Sequence, residues 1–240
     1  MKNTEKKVRY ILIILCEVLT VINVIRLLLA GDFSRLLLAF LTLLLILIPE
    51  GIERIFHCHI SQPMYLISVL YAIGPMLGHC NNLYYLIPGW DKLLHTLGGV
   101  MFVFLGIFLF EILGGDQKKW VLCCVFALCF SMALSVFWEF YEFGVDSLLG
   151  MDTQSDTIIH SINSHVLNTA MGETGSILDI HDVSINGVPL GLGGYLDIGL
   201  IDTMMDLLLE SLGATITTII LFLDKNRHPV FQRKKGAQIC

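Results

Sequence analysis

Three short stretches of this chain carry side chains whose types and spacing could do chemistry: Trp90-Asp-Lys-Leu-Leu-His95, Trp138-Glu-Phe-Tyr-Glu142 and Asp202-Thr-Met-Met-Asp206. Each lies in an otherwise apolar run and sets two titratable groups three or four residues apart. On a helix that spacing puts both on one face, roughly 5–6 Å from each other. Two of the stripes continue, through Glu139, Glu142 and Asp146 and through Asp202, Asp206 and Glu210. Carboxylates crowded into a low-dielectric site must share protons or hold a cation. Oxygen donors with a single imidazole point to a divalent metal ion, Mg²⁺ or Mn²⁺ ahead of Zn²⁺ or Fe²⁺. The expected ligands are Asp91, His95, Glu139 and Asp206, with Glu142 and Asp202 as the expected catalytic pair, one of them a general base. A plainer reading stands beside this one. Asp91, Asp202 and Asp206 begin helices, where an acid complements the dipole, and Asp146 and Glu210 could be headgroup-facing acids. Glu139 resists that reading, because it falls in the C-terminal third of its helix.

The elements that would position these groups are membrane spans. Hydrophobic residues make up 55% of the 240 positions and charged residues 15%, against about 25% charged in a soluble domain. Apolar runs of spanning length predict helices over about Val8 to Ala30, Leu36 to Pro49 (extended to about Ile55), Pro63 to Leu77, Asp91 to Leu113, Trp120 to Asp146 and Ile198 to Leu223. The fold class is therefore all-α: a polytopic bundle of about six spans, one integral membrane domain over residues 1–240. A segment of some fifty residues, 147–197, precedes the last span. It holds six acids and no Lys or Arg. Isoleucines at near-helical spacing suggest an amphipathic helix over Asp156 to Ala170, and Asn186-Gly187 suggests a hairpin within Ile177 to Leu190.

Charge along the chain orients the bundle. Of 15 Lys and Arg residues, 12 fall in the two tails and the loops on their side, all but Arg26, Arg35 and Lys92. The positive-inside rule makes both termini cytoplasmic and the 147–197 segment extracytoplasmic. Depth can then be tested. His95 lies one turn inside the outer end of its span, and Glu139 lies 19 residues beyond Trp120, about 28 Å from the inner end. Asp202 and Asp206 open the last span. All three pairs reach the outer third of the bilayer.

Other features do less. The seven cysteines show no paired metal spacing and read as small apolar fillers. The basic start precedes an apolar run too long for a cleaved signal. Arg26 lies near the outer end of the first span, as a neutralising charge or a snorkelling one. The histidines at 57, 59, 160, 165 and 181 read as surface residues. No phosphate loop, nucleophile elbow or His-Glu-x-x-His motif occurs, and no basic patch suits nucleic acid.

The four motifs 90–95, 138–143, 151–157 (Met-Asp-Thr-Gln-Ser-Asp-Thr) and 194–206 together resemble a family of bacterial membrane-spanning proteins that includes YjdF-like inner-membrane proteins. The Asp-Lys-x-x-His start is also similar to VanZ-like membrane proteins, which carry Gln where Glu142 stands here. The resemblance covers about residues 88 to 215 and implies a polytopic bacterial membrane protein with these acids as its shared core. It supplies no reaction. Three functions follow from the residues. The first is a metal-dependent enzyme acting on a lipid-linked or envelope substrate. The others are a cation- or proton-coupled transporter, and a scaffold whose outer segment binds a partner. Membrane lipid is the expected surrounding in each.

Overall fold

The structure is a computed structural model and describes residues 3–116, 118–224 and 231–233. Lys2 and the tail residues Lys225, Arg227, Lys234, Lys235 and Cys240 lie outside them. The chain begins with α1 (Asn3–Ala30), which Gly31 ends at a φ of 70°. Asp32 then accepts the N–H of Arg35 at 3.2 Å and caps α2 (Phe33–Leu45). The second span is two helices in tandem. Pro49 has no N–H to offer and its ring would collide with the carbonyl of Leu45. The chain therefore tightens, Leu47 N to Leu44 O at 3.2 Å, and restarts as α3 (Ile48–Ile55). Strand β1 (Cys58–Ile60), α4 (Gln62–Cys80), the single-turn α5 (Leu83–Leu86), α6 (Trp90–Ile112) and α7 (Trp120–Leu149) follow. After a segment of short strands come α8 (Leu200–Leu223) and β8 (Phe231–Arg233), which pairs antiparallel with β1.

Among the described residues six stretches, Thr4–Ala30, Arg35–Ile55, Gln62–Cys80, Trp90–Ile112, Trp120–Leu149 and Leu200–Leu223, are long and apolar enough to cross a membrane. They match the six expected spans, with ends moved by a few residues. Several buried hydroxyls in these helices return to their own backbone. Thr20 donates to Cys16 O, Thr42 to Leu38 O and Thr217 to Gly213 O, at 2.8 to 2.9 Å. That is the arrangement a medium without water demands. Large apolar side chains such as Ile14, Leu15, Leu37, Val121 and Ile220 are more than half exposed, a surface suited to acyl chains.

Contacts divide the chain into two compact units, one of Met1–Ser135 with Leu209–Cys240, the other Val136–Leu208. α7 and α8 each run unbroken from one unit into the other. In the first unit, α1, α2 and α4 pack around Val24, Ala39, Tyr65, Val69 and Met76. A second core joins α6 to the adjoining parts of α7 and α8 through Val103, Ile107, Cys123, Ala127 and Ala214. Small residues allow that approach. A Cβ at Gly106 would stand 2.8 Å from Ala127 Cα, and one at Gly213 2.4 Å from Thr96 O.

The second unit holds the segment between α7 and α8, and the helix expected over Asp156 to Ala170 is not there. The chain instead forms β2 (Ile158–Ile159), β3 (Ile162–Ser164) and a 3₁₀ turn (His165–Leu167). β2 pairs with β7 (Tyr195–Leu196) and β3 with β4 (Gly175–Ile177). β-Branched isoleucines suit strands, and their partners lie too far along the chain for local spacing to reveal. The expected hairpin does form, as β5 (Ser184–Ile185) and β6 (Val188–Pro189). Asn186 and Gly187 turn it with φ of 55° and 81°, the signs a type I′ turn requires.

Candidate functional site

In the first unit the site is built on the N-terminal turns of α6. Gly89, at φ 79°, starts the helix. Trp90 Nε1 donates to Gly74 O on α4 at 3.2 Å. Leu94 covers Gly74, where a Cβ would be 2.3 Å from its side chain. These contacts fix the rotation of α6, and with it Asp91 and His95 at i, i+4. His95 Nε2 lies 3.6 Å from Asp91 Oδ1, and Lys92 Nζ lies 3.2 Å from Asp91 Oδ2. On its other side the imidazole meets α8: His95 Nδ1 is 3.6 Å from Glu210 Oε2. His95 and Glu210 are 7% and 2% exposed, while Asp91 is half-buried.

Both ring nitrogens thus face a carboxylate. A neutral imidazole has one N–H and one lone pair, so it cannot donate to both. The ring carries two protons, accepts one from a protonated acid, or turns one nitrogen to a cation while a carboxylate holds the other N–H. The close crossing that brings Glu210 here depends on glycine, since a Cβ at Gly99 would stand 2.0 Å from Glu210 O. α7 meets α6 at the same level, with Ser131 Oγ donating to Gly99 O at 3.1 Å and Ser135 Oγ to Ser131 O at 3.2 Å.

The second unit holds the remaining expected residues. Glu139 and Asp206 are buried, at 4% and 1% exposed. Glu142 Oε1 accepts the indole N–H of Trp138 at 2.9 Å. Asp202 Oδ2 accepts Ser155 N at 3.0 Å. Asp146 serves the structure, accepting Thr153 N and Oγ1, both at 2.7 Å, and Gln154 N at 2.8 Å. Gln154 Nε2 donates to Thr203 Oγ1. Asp197 takes Thr157 N at 2.7 Å and Ile201 N at 2.8 Å, capping α8. The 151–157 motif is therefore a latch that ties the end of α7 to the start of α8. Gly199 completes it, at φ 79° with Gln154 Cβ 2.7 Å from the place of its missing Cβ. Beside the latch, the Asp152 carboxyl is pushed above its ordinary range by partial burial and then by the charges of Asp156, Asp146 and Asp202.

The family described as predicted membrane protein (DUF2238) matches residues 9–227, which takes in all three acidic stretches. The chain belongs to that family. No curated protein and no solved structure matches it. As a member it is an integral membrane protein whose surface meets lipid, and within its first unit a buried His/Asp/Glu cluster is present.

Two residues carry more than the sequence shows. In the sequence Glu210 is only the far end of a stripe, and its contact with His95 depends on a helix crossing that spacing does not report. Arg9 lies where the polar start of the chain meets the first span. It is 3% exposed, donates to Gln62 Oε1, Glu53 Oε1 and Ile60 O at 2.6 to 2.8 Å, and stacks 4.1 Å from the Tyr65 ring centroid. Arg26, near the other end of α1, donates to Cys80 O at the end of α4. His59, expected on the surface, contacts Glu53 at 2.9 Å.

Proposed function

We propose that this protein binds one divalent cation among its membrane-spanning helices and uses it on a lipid-linked or cell-envelope substrate. Asp91, His95, Glu139 and Asp206 are the ligands in this reading, with Glu142 and Asp202 as general base or ligand support. The observation that carries it is the buried His95 ring facing a carboxylate at each nitrogen. Helix continuity supports the rest. Glu139 follows Ser131 and Ser135 at i+8 and i+4 on the unbroken α7, and Asp206 precedes Glu210 by one turn on α8.

Mostly oxygen donors with one nitrogen suit Mg²⁺ or Mn²⁺ better than the sulfur-rich sites of structural zinc. Such an ion would polarise a phosphoryl or carbonyl oxygen or activate water. The protein would orient the substrate and take the proton at Glu142 or Asp202. In this reading the tails are cytoplasmic, because the Lys and Arg residues concentrate on their side. The site then opens to the outer leaflet of a bacterial inner membrane, where lipid headgroups lie. The four motifs also keep the chain beside YjdF-like proteins, with a fainter likeness to VanZ-like ones.

Elemental analysis of protein purified in detergent tests this. One tightly held divalent ion per chain is expected, and Glu139→Gln should lose it. A wild-type protein that takes up none of Mg²⁺, Mn²⁺ and Zn²⁺ contradicts the proposal. Shared protons would then hold the acids together, and proton-coupled transport would become the better reading.

A further inference from the structure

The turn between α6 and α7 ends in two lysines and a tryptophan, and a cavity of about 660 Å³ lies beside them in the first unit. Asp116 shapes the turn: its backbone oxygen accepts Lys119 N at 2.8 Å and its Oδ1 accepts Lys118 N at 2.9 Å. The lysine side chains are left exposed. Among the described residues neither ammonium group is paired with a carboxylate. Lys118, Lys119 and Trp120 supply the polar lining of the cavity, and Val121, Val125 and Phe222 supply apolar lining. Val121 and Val125 are one turn apart at the start of α7, and Phe222 belongs to the last turn of α8. All three are more than half exposed.

We propose that this cavity binds an anionic phospholipid, with its phosphate on Lys118 and Lys119 and its acyl chains along Val121, Val125 and Phe222. Charge complementarity decides the class of lipid. Two unpaired ammonium groups at the end of a span attract phosphate oxygens, whereas a zwitterionic headgroup brings a cation of its own. The order along the chain matches the order of groups in a lipid. Charge stands just before the span, an indole follows at its first position, where interfacial tryptophans settle, and apolar side chains come next. Ligand pockets commonly measure about 300–1,000 Å³, so the cavity has room for a headgroup and the start of its chains. The exposed apolar side chains continue that surface into the bilayer. A soluble anion would use the lysines and leave the apolar lining bare. This site shares no residue with the proposed metal centre and does not depend on it.

The test titrates the full chain in detergent micelles with phosphatidylglycerol, or with phosphatidylcholine of the same acyl chains, and reads bound lipid by native mass spectrometry. Phosphatidylglycerol should bind the more tightly. Lys118→Gln and Lys119→Gln should each weaken it about fivefold, and the double variant about 25-fold, while Lys118→Arg keeps it. Both lysines are exposed, so these variants should fold as wild type does. Lys6→Gln with Lys7→Gln removes the same charge from the start of α1 and should leave the affinity unchanged. Val125→Trp fills the apolar lining without altering charge and should also weaken binding. Inorganic phosphate should not displace the lipid. Equal affinity for the two lipids, or unchanged affinity in Val125→Trp, overturns the proposal. So does a loss in the Lys6 and Lys7 pair as large as in the cavity pair, which would leave only a diffuse field. Displacement by inorganic phosphate overturns it in favour of a soluble anion.

Discussion

Gly99→Ala should loosen the helix crossing on which the site depends. The new Cβ would lie 2.0 Å from the backbone oxygen of Glu210 and 2.9 Å from both Glu210 C and Ala214 N. These are main-chain atoms, so no side-chain rotation relieves the clash. To regain the 3.4 Å of ordinary contact, α8 and α6 must separate by about 1.4 Å, which forfeits much of the dispersion energy at the crossing. Overpacking of this kind costs about 1–3 kcal/mol. Disturbing the Ser131 hydrogen bond to Gly99 O adds about 1 kcal/mol, and the better helix propensity of Ala returns about 1 kcal/mol. The expected net loss is about 2 kcal/mol, read as unfolding at a lower SDS fraction in mixed micelles. Gly213→Ala, 2.4 Å from Thr96 O, and Gly106→Ala, 2.8 Å from Ala127 Cα, should follow in decreasing order. Gly144→Ala on α7 meets no atom within 4 Å and should be neutral or slightly stabilising. If Gly99→Ala unfolds where wild type does, the close crossing of α6 and α8 is wrong.

The remaining predictions concern other parts of the chain. Asp146→Ala removes the acceptor for three hydrogen bonds from Thr153 and Gln154. It should cost about 1.5–3 kcal/mol and open the 151–157 latch to limited proteolysis; unchanged protection would refute the latch. Arg9→Lys cannot reproduce the three-way fork and the stacking on Tyr65, so it should destabilise by on the order of 2 kcal/mol; an unshifted melt would refute the buried fork. The raised Asp152 carboxyl favours the fold while protonated, and this contribution fades as pH rises through its folded pKa. Asp152→Asn should therefore be more stable than wild type at neutral pH and lose that advantage at low pH. An advantage that grows on acidification would reverse the sign.

Much of the fold is legible in the sequence because lipid imposes a simple rule. A span needs length and apolarity, and both are written along the chain. The break at Ile46 and Leu47 follows from Pro49, although the apolar run alone reads as one extended helix. The segment between α7 and α8 is legible only where its signal is local. Asn186-Gly187 fixes a hairpin by its own φ preferences, whereas Ile158 and Ile162 find partners at Leu196 and Ile177, which no short window contains. The period of one helix pairs Asp91 with His95. Glu210 falls on the right stripe without naming its partner, since Gly98 and Gly99 determine which face of α6 it meets. Nothing local marks Arg9 for burial, because its partners Glu53 and Gln62 lie 44 and 53 residues away.

The central claim is that a divalent cation completes the acidic cluster, and a thermal melt tests it most directly. Protein in nanodiscs would be stripped with chelator, then titrated with Mg²⁺, Mn²⁺ or Zn²⁺ while its melting temperature is followed. Binding to the folded state alone stabilises by about 2.7 kcal/mol at a hundredfold excess over Kd. The account predicts a saturable rise for at least one ion, abolished in Glu139→Gln and kept in Glu173→Gln, whose position lies in the segment between α7 and α8. Melting temperatures unmoved by all three ions, or a rise that persists in Glu139→Gln, would contradict it.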